Sequence, residues 1–595
     1  MSTLNYHVTP LDPAAHRFRV TLTLAAVAGQ PLALYLPSWI PGSYVIRDFA
    51  RHLLSIEADS EGQKLSVTAI DRQSWQVTPQ ADQLRVVCEF YARDPSVRAA
   101  FLDDTHGFFN FTSLALRPGG AADWPCRVRI DAPADLNWTL VTTLAPAATD
   151  DAGFGDFTAV SYWGLIDHPV VMGEAIEQVA FEVRGVPHGF VLVGNHDADT
   201  RQLAIDLAAV CEAQAAVFDV LPASQYLFLA LVTGSGFGGL EHRESSVLQV
   251  GRNALPSAAR VAAAGRRDEA YETLLGLCSH EYFHLWNVKR IRPAAVAASD
   301  LTGEAYFRDL WAYEGVTSYY DDLALVRAGV MTIQGYLDRL AKLATRIEAT
   351  PGRHRQSLSE SSFDAWLKFY RPDENTPNAV VSYYGKGAQF ALGLDLKLRL
   401  ETDGRVSLDD VMRAIWARYG ADDQPVPDGG LARIAGQVSG LDLDEFFDFH
   451  LNTIADAPWA DYLSDFGIRA LAEPASDDAA VVLGRMGLKL DAGRAPAVAH
   501  VMDDGPAQKA GISPGDRLMA VDGIEVSTEL AKRLVRYPAG GRLRVHLFRG
   551  DELLVRELTL RADASAEWRL TVDATADAAA HGRRAAWLQH DRPPA

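Results

Sequence analysis

His280 and His284 stand four residues apart, with Glu281 beside the first, in the stretch Cys278-Ser279-His280-Glu281-Tyr282-Phe283-His284. On a helix, residues at this spacing lie one above the other on the same face. Two imidazoles so placed can grip one metal ion from one side. The neighbouring carboxylate can reach water held on that ion. The pattern implies Zn²⁺, with Glu281 as general base. Two core histidines meeting by chance would give the same letters, so the surrounding sequence has to decide.

That context is helical. Asp268, Glu269 and Glu272 open the preceding run, which suits a helix N-terminus. Tyr271, Leu274, Leu275 and Cys278 recur at helical spacing. Lys289, Arg290 and Arg292 follow the motif, and Pro293 forbids continuation. The motif therefore belongs in the last turns of an amphipathic helix. A second helix is expected from Glu304 to Arg327, with Phe307, Leu310, Trp311 and Glu314 on one face. A carboxylate on so aromatic a face is costly to bury unless paired or metal-bound. Glu314 is the natural third zinc ligand, leaving a fourth position for water. The competing role for Glu314 is a buried ion pair with an Arg or Lys elsewhere.

Composition narrows the rest. The 595 residues are 48 % apolar and 9 % aromatic, ordinary for a globular protein of several domains. A net charge of −21 would repel a nucleic-acid backbone, so that partner class is discounted. No apolar run approaches the ~20 residues that span a bilayer, and no membrane partner is expected. The N-terminus lacks the basic start and apolar core of a secretory signal. Cys88, Cys126, Cys211 and Cys278 are scattered without metal-knuckle spacing, which fits a reduced, cytoplasmic protein.

In chain order, residues 1–182 alternate with period two, as in Phe18-Arg19-Val20-Thr21-Leu22-Thr23-Leu24, and read as a β-sandwich-like domain. Within it, Trp39 to Asp48 reads as a structural corner, and Leu165 to Val170 as a linker or a cleft rim. Residues 183–470 read as the domain that carries the zinc motif, with a helical lobe. There Gln225 to Val232 is a buried strand that runs into Gly234-Ser235-Gly236-Phe237-Gly238-Gly239-Leu240-Glu241-His242. Gly238 and Gly239 let backbone approach a ligand closely. Glu241 sits on this edge either as a working carboxylate or as a solvated loop acid. The segment 351–380 is polar and irregular, a candidate lid or substrate rim. Residues 471–565 form a separate module, and 566–595 read as a poorly packed tail.

Several motifs occur together: Gly238-Gly239-Leu240-Glu241, His280-Glu281-x-x-His284, Glu314-Gly315 and Tyr384-x-Lys386-Gly387. Their order resembles gluzincin aminopeptidases. Trp39-x-Pro41-Gly42-Ser43-Tyr44-x-x-Arg47-Asp48, His284-x-Trp286-Asn287-Val288-Lys289-Arg290-x-Arg292-Pro293 and Trp311-x-x-Glu314-Gly315-x-Thr317-x-Tyr319-Tyr320 sharpen it. They resemble the glycyl aminopeptidase family of PDZ-containing metallopeptidases over nearly the whole chain. Gly505-Pro506-Ala507, Ala510-Gly511-Ile512, Pro514-Gly515-Asp516 and Asp522-Gly523 resemble a PDZ domain. The resemblance implies a multidomain α+β chain: a β-sandwich-like domain, a thermolysin-like peptidase domain with its helical lobe, and a PDZ-like domain. It implies one Zn²⁺ per chain on His280, His284 and Glu314. It also implies hydrolysis of peptides at a free N-terminus, with glycine or alanine first. By the same resemblance Tyr384 is the oxyanion donor and Glu241 pairs with the substrate ammonium. The PDZ-like module would capture a chain terminus or serve as a packing platform. Thirty positions separate His284 from Glu314, a longer gap than in the commoner gluzincins. A zinc endopeptidase fed by the PDZ-like module, and a catalytically idle peptide-binding scaffold, are the competing readings.

Overall fold

Alternating apolar residues build the N-terminal sheets. Strand Arg17–Ala25 buries Phe18, Val20, Leu22 and Leu24. It pairs antiparallel with Gln83–Tyr91, which buries Leu84, Val86, Cys88 and Phe90 on the same face. The pair lies inside an eight-stranded sheet, with two four-stranded sheets in the same part of the chain. The computed structural model describes residues 2–257, 267–474, 478–491, 496–561 and 566–589.

A five-stranded sheet follows: β1 (Ile176–Val183), β2 (Val186–Val193), β3 (Tyr226–Thr233), β4 (Phe237–Glu241) and β5 (Ser245–Gly251). Its order is β1-β2-β3-β5-β4. The apolar run of β3 is explained by its place, parallel to both β2 and β5 in the middle of the sheet. β4 is antiparallel to β5 and forms the sheet's edge. Helix α1 (Thr200–Phe218) connects β2 to β3 and packs with α2 (Glu269–Phe283).

The chain divides into two compact units. One comprises Met1–Tyr306, Tyr320–Met331 and Met412–Asp428; the other Phe307–Tyr319, Thr332–Val411 and Gly429–Ala595. The second holds a π-turn, Trp311–Gly315, that leads into helix α3 (Val316–Arg327), and α4 (Gly385–Glu401), which begins just after Tyr384. The expected helix from Glu304 starts only at Leu310, and Phe307 lies outside it. The polar segment 351–380 holds short helical pieces at Pro351–His354, Leu358–Phe363 and Thr376–Ala379.

The PDZ region contains α5 (Asp478–Met486), β6 (Leu488–Leu490), β7 (Val498–Val501) and α6 (Leu530–Val535). Asn378 fastens it to the helical lobe. Its Nδ2 donates to the Val501 carbonyl at 2.8 Å, and its Oδ1 accepts from the Asp503 N–H at 2.9 Å.

The tail expectation is corrected. β8 (Ala566–Val572) pairs antiparallel with Ile468–Pro474, and α7 (Ala578–Leu588) buries Trp587 completely. Trp587 Nε1 donates to the Tyr319 hydroxyl at 2.8 Å, which donates in turn to Asp395 at 2.6 Å. Among the described residues, no helix is long and apolar enough to cross a membrane. All four cysteines are free and buried.

Candidate metal centre

The histidine pair sits at the end of α2. Asp268 caps this helix by accepting from the Tyr271 N–H, and Glu269 and Glu272 occupy its first turn. Tyr271, Leu274, Leu275, Cys278 and Tyr282 are buried along it. His280 is in the last turn, and His284 is the C-cap residue. Their rings stand at 88° to one another, and their Nε2 atoms are 3.1 Å apart. The far side of each ring is occupied. His284 Nδ1 donates to the Asn287 carbonyl at 2.7 Å, and His280 Nδ1 lies 3.5 Å from the Asp321 carboxylate. A proton held on Nδ1 leaves the lone pair on Nε2. Two lone pairs facing each other repel unless a cation lies between them. Zinc, with nitrogen ligands about 2.0–2.1 Å away, suits such a pair.

The edge strand brings carboxylates to the same helix. Glu241 ends β4 and is buried at 3 % exposure, so it is neither a loop residue nor solvated. Its Oε1 has no hydrogen-bond partner among the described residues. A Cβ on Gly42, whose φ is +97°, would overlap both Glu241 carboxylate oxygens. The turn expected to be a mere corner thus lies directly on this carboxylate. A Cβ on Gly239 would likewise overlap Glu281 Oε1. Each carboxylate rests against a glycine that leaves it room. Arg98 Nη2 donates to the Gly239 carbonyl at 3.2 Å, and the Tyr226 hydroxyl donates to the Glu281 carbonyl at 3.2 Å.

Within the first unit, Glu241, Glu281 and His284 have donor atoms all within 4.8 Å of one another and could hold an ion. Imidazole nitrogen with carboxylate oxygen is a donor set that zinc accepts.

Asp167 fixes the ends of both first-unit elements. Its carboxylate is 2.5 Å from Lys289 Nζ and 3.5 Å from His242 Nδ1, and accepts from the Arg243 N–H at 2.7 Å. Burial works to raise its pKa, but Lys289 and His242 outweigh it and hold the carboxyl well below the usual carboxylate range. The segment read as a linker or a rim therefore carries a buried anchor.

In the second unit, Glu314 is buried on the π-turn, a distortion often found at functional sites. Beside it, Gly315 lies against the backbone of Gly387 and the Tyr383 carbonyl, so closely that a Cβ would come within 2.6 Å of Gly387 Cα. This glycine contact sets the π-turn against the start of α4. Tyr384 stacks with Tyr383 at 4.7 Å and with Phe369 at 5.6 Å. Its hydroxyl is 3.1 Å from that of Tyr370. Burial first, then the Glu314 charge, push the Tyr384 phenol well above its ordinary pKa, so it carries its proton at neutral pH.

Residues 5–174 match the Peptidase M61 N-terminal domain, 273–390 the M61 glycyl aminopeptidase, and 498–547 a PDZ domain. An aminopeptidase N family protein from Idiomarina loihiensis is 37 % identical over 98 % of this chain and 100 % of that chain, with a TM-score of 0.93. The chain belongs to the M61 glycyl aminopeptidase family. It is a zinc metallopeptidase with a PDZ domain. An M1 zinc metallopeptidase from Deinococcus radiodurans is a distant likeness only: 14 % identity over 77 % of this chain and 95 % of that one, with a TM-score of 0.47. No curated protein matches the chain in sequence.

The sequence did not single out Gly42, Arg98, Asp167 and Tyr370, which the structure places against Glu241, the Gly239 carbonyl, Lys289 and Tyr384. Gly42 stood inside a quoted motif, and Asp167 beside His168 and Pro169 in a segment marked as a possible rim. Those were the only signals. Arg98 and Tyr370 carried none.

Proposed function

We propose that this glycyl aminopeptidase removes single N-terminal residues, small ones first, from peptides with a free amine. His280, His284 and Glu314 would hold one zinc ion per chain. Bound there, zinc would supply a water of pKa around 7 and Lewis-acid polarisation of the substrate carbonyl. Glu281 takes the proton of the attacking water and passes it to the leaving amine. Tyr384, protonated at neutral pH, donates a hydrogen bond to the carbonyl oxygen as negative charge grows on it. Glu241 pairs with the substrate ammonium and fixes the distance from the free N-terminus to the bond that breaks. Gly238 and Gly239, bare on the edge strand, admit the peptide backbone beside them. The Gly42 turn, lying on the Glu241 carboxylate, limits the room for the first side chain.

The observation that carries this reading is the pair of Nε2 atoms 3.1 Å apart with Glu241 and Glu281 gathered at His284. Glu281→Gln tests it. The variant keeps the shape and loses the base, so hydrolysis of an alanyl or glycyl amide is expected to fall by at least about 10³-fold. Bound zinc, measured on the same sample, should remain near one per chain. Retained turnover with zinc in place would remove Glu281 as the base.

A further inference from the structure

The Tyr384 hydroxyl has a neighbour that the proposed chemistry has not used. Tyr370 Oη is 3.1 Å from Tyr384 Oη, and either phenol could donate. Tyr370 lies between the short helices Leu358–Phe363 and Thr376–Ala379, ahead of α4, in the piece of chain read as a candidate substrate rim. Both phenols are only half-buried, whereas the neighbouring Tyr383 is fully buried. Phe369 packs on Tyr383 at 4.8 Å and on Tyr384 at 5.6 Å, and so holds the Tyr370 segment against them.

We infer that Tyr370 is a positioning residue for Tyr384, its hydroxyl donating to the Tyr384 oxygen so that the single Tyr384 proton points at the substrate carbonyl. The inference rests on the reading of Tyr384 as the oxyanion donor. The direction of the bond follows from that role. A phenol has one proton. If Tyr384 spent it on Tyr370, it could not stabilise a developing oxyanion. If Tyr370 donates, Tyr384 can give its proton to the substrate, and the accepted bond polarises Tyr384 into a stronger donor.

The benefit appears only as charge grows on the carbonyl, so it belongs to the transition state and not to substrate binding. Tyr370→Phe in the full zinc-loaded chain is expected to lower kcat on an N-terminally free alanyl amide about five- to tenfold, with KM changed less than about twofold. Affinity for a phosphinic dipeptide, whose tetrahedral oxygens mimic that charge, should fall by the same factor. In a Tyr384→Phe background, Tyr370→Phe should cost nothing further, because the residue it serves is gone.

Equal losses in both backgrounds would show that Tyr370 only supports the fold and would overturn the inference. So would an unchanged kcat for the single variant. If Tyr384→Phe itself left kcat intact, the oxyanion role of Tyr384 would fail first, and the two failures are told apart by that variant alone. Zinc content and melting temperature of each variant separate a lost hydrogen bond from a damaged fold.

Discussion

Two strand edges in this chain are finished in opposite ways. β4 is the edge of the five-stranded sheet and is made of Phe237, Gly238, Gly239, Leu240 and Glu241. Two of its positions carry no side chain, and Phe237 at its start is 65 % exposed. The PDZ edge at β6 and α6 is where that type of domain adds a strand. There, Leu530, Ala531 and Leu534 of α6 are buried in one core with Val481, Val482 and Met486 of α5. The chain packs that helix against its own apolar side chains. The first edge is shaped by omission, the second by packing. Bare glycine lowers strand propensity, and a short edge of five residues limits stray pairing. The contrast teaches that an edge can be kept available without being made sticky.

The sharpest way to break this contrast is to put one methyl group on the first edge. Gly239→Ala would place a Cβ on Glu281 Oε1, so the carboxylate must swing away. A displacement of that kind is expected to lower kcat by about 10²-fold or more, with zinc retained. Kinetics with metal analysis check it. Normal turnover would mean that the space in front of Glu281 is not needed.

A smaller effect, on binding, is expected at the other end of the strand. Glu241→Gln keeps the volume and removes the charge. KM for a peptide with a free amine should rise about 10- to 100-fold, the worth of a hydrogen bond to a charged group. The slow rate on the N-acetylated peptide should not change. Equal loss on both substrates would take the ammonium role away from Glu241 and reopen the endopeptidase reading.

Local physics made some of this legible and left the rest hidden. α2 could be read because Asp268, its acidic first turn and its apolar spacing all lie within a few residues. The start of α3 could not. The chain from Glu304 to Asp309 is not helical, so the 3.6-residue period used to place Phe307 on the Glu314 face does not reach back to it, and a π-turn at Trp311–Gly315 stands where the regular helix was expected. The tail looked weak because its order is non-local: β8 pairs with Ile468–Pro474, and Trp587 finds Tyr319. Nothing in the neighbourhood of Trp587 announces those partners. Gly42 and Gly239 were visible as glycines, but what each lies against depends on a residue far along the chain.

The smallest effect is expected at the PDZ edge. If α5 fills the α6 face, a labelled peptide with a free hydrophobic C-terminus should bind the full chain more weakly than about 100 µM. Adding it should not change turnover of a small amide, although Asn378 ties β7 to the lobe that carries Tyr370. Fluorescence anisotropy and an activity assay read the two outcomes separately. Tight binding with unchanged turnover would show that α5 yields to a ligand and that the second edge is also available. Tight binding that alters kcat would add that β7 and Asn378 transmit occupancy to the tyrosine pair, since these hydrogen bonds lie between that edge and the segment leading back to Tyr370.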